Sequence, residues 1–152
     1  MMTKQVFNSI FEYSLRLLIL LDEYDMPQTM DMLYAVDFMT LYSAAFGIDN
    51  HNLHGENDLK FSEFASHREL AREALKELVL NGTVHAVIYK DGMSYVITPE
   101  GEDYSQSLHS DYAAEYRRTA QTVIKETEGM SERELIANIY QLSDRSFRQE
   151  DR

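Results

Sequence analysis

A mostly α-helical chain carrying one small β-hairpin is predicted from three observations. Apolar residues recur at helical spacing through most of the 152 residues. One stretch, Thr83 to Thr98, is rich in β-branched and aromatic residues and is split by Asp91-Gly92, a strong hairpin signal. Three helical segments precede that stretch, and helical periodicity resumes after it. A chain of this length buries roughly 68–70% of its unfolded surface, so one domain needs no disulfide or structural metal to fold.

The first helix is expected from Ser9 to Tyr24, where Ile10, Phe11, Leu15, Leu17, Leu18 and Leu21 form the stripe and Asn8 or Ser9 caps it. Pro27 ends the connection and Thr29 caps a second helix. Met30, Leu33, Tyr34, Val36, Phe38, Met39, Leu41 and Tyr42 make this second helix apolar around nearly its whole circumference, so it is either buried on all sides or faces a partner. Gly47 to Lys60 reads as a loop of about 14 residues, unusually long for a compact domain. Ser62-Glu63 opens a third helix to about Leu80, with Phe64, Ala71, Ala74, Leu75 and Leu78 inward and Asn81-Gly82 as its stop. The hairpin follows. Thr98-Pro99 then leads into a long fourth helix, Glu102 to about Thr127, striped by Tyr104, Leu108, Tyr112, Tyr116, Ala120 and Ile124. Gly129 breaks it, and Ser131 with Glu134 starts a last helix to Leu142.

Three helices followed by a two-stranded ribbon is the order of a winged helix-turn-helix domain, here with additional C-terminal helices. The expected division is residues 1–127 for that domain including the fourth helix, 128–142 for the C-terminal helix and 143–152 for a flexible tail. The most apolar run, Leu15 to Leu21, holds Arg16 and is far short of the roughly 20 residues that span a bilayer, and no signal-peptide pattern precedes it. A cytoplasmic protein without membrane contact is expected.

Composition removes much chemistry. Zero cysteines exclude disulfides, thiol nucleophiles, thiolate zinc sites and iron–sulfur clusters. With 26 acidic against 14 basic residues the formal charge is -12, which argues against general binding to a phosphate backbone. No Gly-rich phosphate loop, nucleophile elbow or zinc-protease motif is present. Acid pairs such as Glu102-Asp103 and Asp22-Glu23 diverge on a helix, so no enzyme and no cofactor are expected.

The third helix would be the DNA-reading element of such a domain. Its exposed face carries Arg68, Arg72 and Lys76 against Glu69, Glu73 and Glu77, spaced to neutralise one another, and the hairpin tip adds only Lys90. A solvated, salt-bridged face is the expectation. His51 and His54 share the long loop with Asp49, Glu56 and Asp58, which are metal-ligand types in a spacing too loose to specify a site. His85 and His109 read as packing or surface residues. The 10 tyrosines and 8 methionines suit an interface, and the second helix points to one, because Met32, Val36 and Met39 face away from Leu33, Phe38 and Leu41. A domain this small is expected to leave one of those faces open. The candidate partner surface is therefore Met32, Val36, Met39 and Tyr42 with His51, Leu53 and His54.

Four segments carry a resemblance: Asn8 to Leu18 (NSIFEYSLRLL), Asp37 to Tyr42 (DFMTLY), Asn52-Leu53-His54-Gly55 and Arg68-Glu69-Leu70. In these the chain resembles the middle component of bacterial ABC-three-component conflict systems, the group that includes Lamassu-type defence operons. The likeness runs from about Phe7 through the hairpin and fades in the C-terminal helices. It implies a winged-helix accessory subunit that joins an SMC-like ABC ATPase to an effector, commonly a nuclease, in a complex acting against phage or plasmids. On that analogy the second helix and long loop bind the ATPase or effector. Arg68, Arg72 and Lys76 then touch DNA held by the ATPase, or an acidic partner. A stand-alone winged-helix transcription regulator is the alternative.

Overall fold

Six α-helices and one antiparallel hairpin follow one another in the computed structural model, which describes residues 2–48, 53, 64, 66–90 and 92–150. Helix α1 spans Met2–Glu23, α2 Met30–Leu41 and α3 Arg68–Leu80. Strands β1, Val84–Tyr89, and β2, Gly92–Ile97, come next, then α4 at Pro99–Gln106, α5 at Asp111–Glu126 and α6 at Glu132–Glu150. The start of α1 lies before Ser9 because nothing in the preceding residues breaks a helix, so Ser9 sits inside it.

Side-chain caps set most of the other boundaries. The Thr29 hydroxyl accepts from the Met32 amide at 3.2 Å and also donates to Glu132 at the start of α6, tying two helix N-termini together. Thr98 accepts from the Gly101 amide at 3.0 Å with Pro99 in the first turn. Ser110 accepts from Ala113 at 3.1 Å. That last cap corrects the long fourth helix. The chain instead makes two helices, because Ser107 ends α4 and Ser110 restarts α5, and a hydroxyl at each side satisfies the freed backbone groups. The last helix also runs to Glu150, beyond the expected Leu142, since no glycine or proline follows Leu142 to stop it. Left-handed Gly82 and Gly129 terminate α3 and α5 where expected.

The hairpin pairs Val84 with Ile97 through to Tyr89 with Gly92. Gly92 is thus the first residue of β2, paired with Tyr89, and Lys90 just after β1 takes a left-handed φ of 50°. β2 has a second neighbour: Gln28 exchanges both backbone hydrogen bonds with Tyr95, at 3.0 and 2.8 Å. The link between α1 and α2 therefore lies against the hairpin like a one-residue third strand. At the base, Thr98 donates from its amide to the Thr83 carbonyl and from its hydroxyl to the Gly82 carbonyl. Gly101 lies so close that a Cβ there would collide with the Thr83 carbonyl oxygen and the Ile97 side chain.

α2 is the axis of the core. α1, α3, α5 and α6 all pack on it, and every residue from Leu33 to Leu41 is buried. Tyr116, Ala120 and Val123 of α5 and Leu135 and Ile139 of α6 complete the apolar cluster. The ring of Phe64 stacks on Tyr34 at 4.7 Å and tilts against Phe38 at 4.8 Å. No helix among the described residues is long and apolar enough to cross a membrane.

Candidate interaction site

The buried face of α2 holds one charge, Asp37, and α1 supplies its counter-ion. Arg16 donates from Nε to Oδ1 at 2.9 Å and from Nη2 to Oδ2 at 3.2 Å, with both side chains nearly closed to solvent. Tyr116 donates its hydroxyl to the same Oδ1 at 2.6 Å, and the guanidinium lies 4.5 Å from the Tyr13 ring centre. Burial works against the Arg16 charge, but Asp37 outweighs it and holds the guanidinium firmly protonated. Burial also pushes the Tyr13 and Tyr116 hydroxyls well above the usual range, with Asp37 adding to the effect. A two-pronged Arg–carboxylate pair capped by a phenol fixes the register of α1, α2 and α5.

A cavity of about 200 Å³ opens beside this pair, walled by Tyr13, Tyr34, Phe38 and His67. The Tyr34 hydroxyl is buried in that region with no hydrogen-bond partner among the described residues, and burial pushes it well above the usual range, with Tyr140 and Asp37 adding to the effect and the His67 backbone only partly opposing it. A second polar knot joins the far end of α1 to α4 and α5. Arg117 reaches Asp22 at 2.9 Å and Glu23 at 3.0 Å, and it also donates to the Ser105 carbonyl and hydroxyl. The Asp22-Glu23 pair is thus engaged by a cation rather than lining a cleft.

The residues singled out from sequence fall into different places. Val36, Met39 and Tyr42 are buried in the chain's own core, and Met32 is half-buried. The premise that one small domain cannot cover both faces of α2 is corrected, because four other helices of the chain pack on it and bury both sets of residues. Leu53 packs part-buried against the core, while His51 and His54 lie outside the described residues, as do Asp49, Glu56 and Asp58. Of the cations, Arg68 reaches back to Asp31 at 3.0 Å and Arg72 pairs with Glu69 at 3.8 Å. Lys76 is exposed, and Lys90 rests over the Tyr89 ring at 5.5 Å. Of the expected pairings along the third helix, Glu69 with Arg72 is formed, whereas Glu73 and Lys76 are both exposed with no ion pair between them.

Open apolar surface lies elsewhere. Ile10, Phe11, Leu15 and Leu18 of α1 face Leu78 of α3 and Tyr104 of α4 across a groove of about 690 Å³. Phe11 is 48% exposed and forms a ridge, and a second depression of about 390 Å³ lies on its other side, between Leu15, Ile19, Leu108 and Tyr112. The hairpin tip is another open patch: the cross-strand pair Ile88 and Met93 is 74% and 55% exposed. Hydropathy along the chain could not separate these from core positions, since Phe11 belongs to the same stripe as the fully buried Leu18.

Comparison with known proteins agrees with the earlier resemblance and extends it. The family model described as ABC-three component (ABC-3C) system Middle Component 2 matches residues 6–149, so the likeness continues through the C-terminal helices where it was expected to fade. No curated protein and no solved structure matches the chain. Membership in a system of several components implies protein partners. Matched over nearly its whole length, the chain belongs to the middle component 2 family of ABC-three component systems and takes an accessory part in a system of that kind.

Proposed function

We propose that this protein is a non-catalytic adaptor that joins an SMC-like ABC ATPase to an effector, a nuclease in the form we favour, within an anti-phage or anti-plasmid defence complex. The observation that carries the reading is the apolar surface around Phe11, left open in a chain whose core is already closed by its own helices. Apolar grooves rimmed by polar residues are a common mark of partner-binding sites. The strongly acidic exterior suits basic partner patches and sets the direction of encounter. The α1, α2, α3, hairpin order, with Gln28 adding to β2, supports a winged-helix scaffold for that adaptor.

Co-expression of the tagged protein with the other components of its own system, followed by mass determination of the intact assembly, tests this. A stable assembly containing the ATPase is expected; a lone monomer or dimer rejects the adaptor reading. The same scaffold order favours one second reading, a stand-alone regulator that binds a promoter. That reading requires the isolated protein to bind duplex DNA with a steep salt slope, and the engagement of Arg68 and Arg72 by Asp31 and Glu69 argues against it.

A further inference from the structure

We infer that the groove between α1, α3 and α4 receives an amphipathic helix from a partner subunit, with apolar anchors on its buried face and lysines or arginines along the edge that meets α3. The inference rests on the adaptor reading and names the surface and the chemistry through which that reading would operate.

The groove floor supplies the apolar part. Ile10, Phe11, Leu15 and Leu18 lie on one stripe of α1 and span about 12 Å at 1.5 Å per residue, close to two turns of a docked helix. That length matches anchors spaced i, i+3, i+4 and i+7, the pattern by which a helix fills an apolar trough. Leu78 and Tyr104 form the opposite wall, and Phe11 stands proud of the surface.

Charge selects the occupant. Glu77 is the one charged residue among the described lining residues. Glu73 is one turn before it on α3, and Glu100 is one turn before Tyr104 on α4; both are exposed. None of the three carboxylates meets a counter-ion among the described residues. The cations of α3 do not offset them: Arg68 and Arg72 are held by Asp31 and Glu69. Lys76, at 100° per residue, points to the side of α3 away from Asn81 and the groove. An apolar trough edged by free carboxylates on two of its helices favours a helix with a basic border over an acidic one, and over a second copy of a chain with formal charge -12. The hairpin tip has an apolar pair but no trough, so it serves as the internal comparison.

The test places p-benzoylphenylalanine at position 11 and, separately, at position 88, with all components of the system co-expressed and irradiated. Cross-linked peptides are then identified by mass spectrometry. Position 11 should capture a partner segment with helical apolar spacing and flanking lysines or arginines. Capture of an acidic or extended segment, or of a second copy of this chain, overturns the inference. In parallel, Phe11→Asp with Leu15→Glu should weaken assembly at least about tenfold, and Glu73→Lys with Glu77→Lys should weaken it and flatten its salt dependence. Each variant must retain the wild-type circular dichroism melt; the charge-reversed pair on exposed α3 keeps the test available if the α1 pair does not fold. Full assembly by the folded variants overturns the inference and leaves the adaptor standing. Failure of the wild type to assemble removes both.

Discussion

Helices α1 and α2 are both rich in leucine and aromatic residues, yet the molecule treats them oppositely. α2 is enclosed from Leu33 to Leu41, and even the carboxylate within that stretch, Asp37, is sealed against Arg16. α1 gives one face to that core and leaves Phe11 half-open to solvent between two depressions. The difference teaches that apolar content measures how much surface must be covered, and that chain topology decides who covers it. α2 sits where four other helices converge, whereas the Ile10 to Leu18 stretch of α1 borders two surface depressions.

The largest effect expected from breaking this contrast is at the sealed charge. Asp37→Ala leaves Arg16 buried and uncompensated, and should cost about 3–5 kcal/mol in urea unfolding. The double variant Arg16→Met with Asp37→Leu should recover most of that loss, because a pair of this kind fixes register more than it adds net stability. If Asp37→Ala unfolds at the wild-type midpoint, the pair does not organise the core.

A second experiment sets the two helices side by side. Met39→Ala on α2 should cost about 2–5 kcal/mol through lost burial and a residual cavity. Phe11→Ser on α1 should cost less, on the order of 1 kcal/mol, because about half of its surface is open to solvent in the folded chain. Equal losses at the two sites would erase the distinction between a closed helix and an open one.

The smallest effect is read in alkali. Burial pushes Tyr24 and Tyr112 up to about 12, and Tyr112 does so despite the nearby Arg16 charge. The neutral phenol is therefore favoured in the folded state. Its stabilisation is complete below the unfolded tyrosine value of about 10 and is lost as pH rises from there through about 12. Phenolate absorbance should lag behind that of a denatured control, and the urea midpoint should fall across the same window. Coincident titration curves would mean that these rings are solvated.

Local chemistry in the sequence foretold the elements where one residue decides. Thr29 caps α2, Gly82 and Gly129 end helices, and the β-branched run around Asp91-Gly92 forms a hairpin, shifted by one residue at its turn. It misled where periodicity persists through a break. Tyr104, Leu108, Tyr112 and Tyr116 are each four apart, so the stripe runs across the Ser107 to Ser110 interruption as though one helix continued. What was invisible is what depends on distance along the chain. Arg16 and Asp37 are 21 residues apart and Tyr116 is 79 beyond Asp37, and the Gln28 bridge is a single residue with no period to betray it. The open groove was missed for the same reason, since Phe11 and Leu18 carry one hydropathy and opposite fates.

The absent side chain at position 101 has a mechanical consequence. Because Gly101 seats directly on Thr83 and Ile97, and Thr98 is bonded to both Gly82 and Thr83, the hairpin base and α4 behave as one lever with no slack at its joint. Rocking the hairpin against α4 would drive Gly101 into the Thr83 carbonyl, which leaves little room for the two to change their angle. The seating of the hairpin on α4 is thereby set at a single hydrogen atom where other residues carry a carbon.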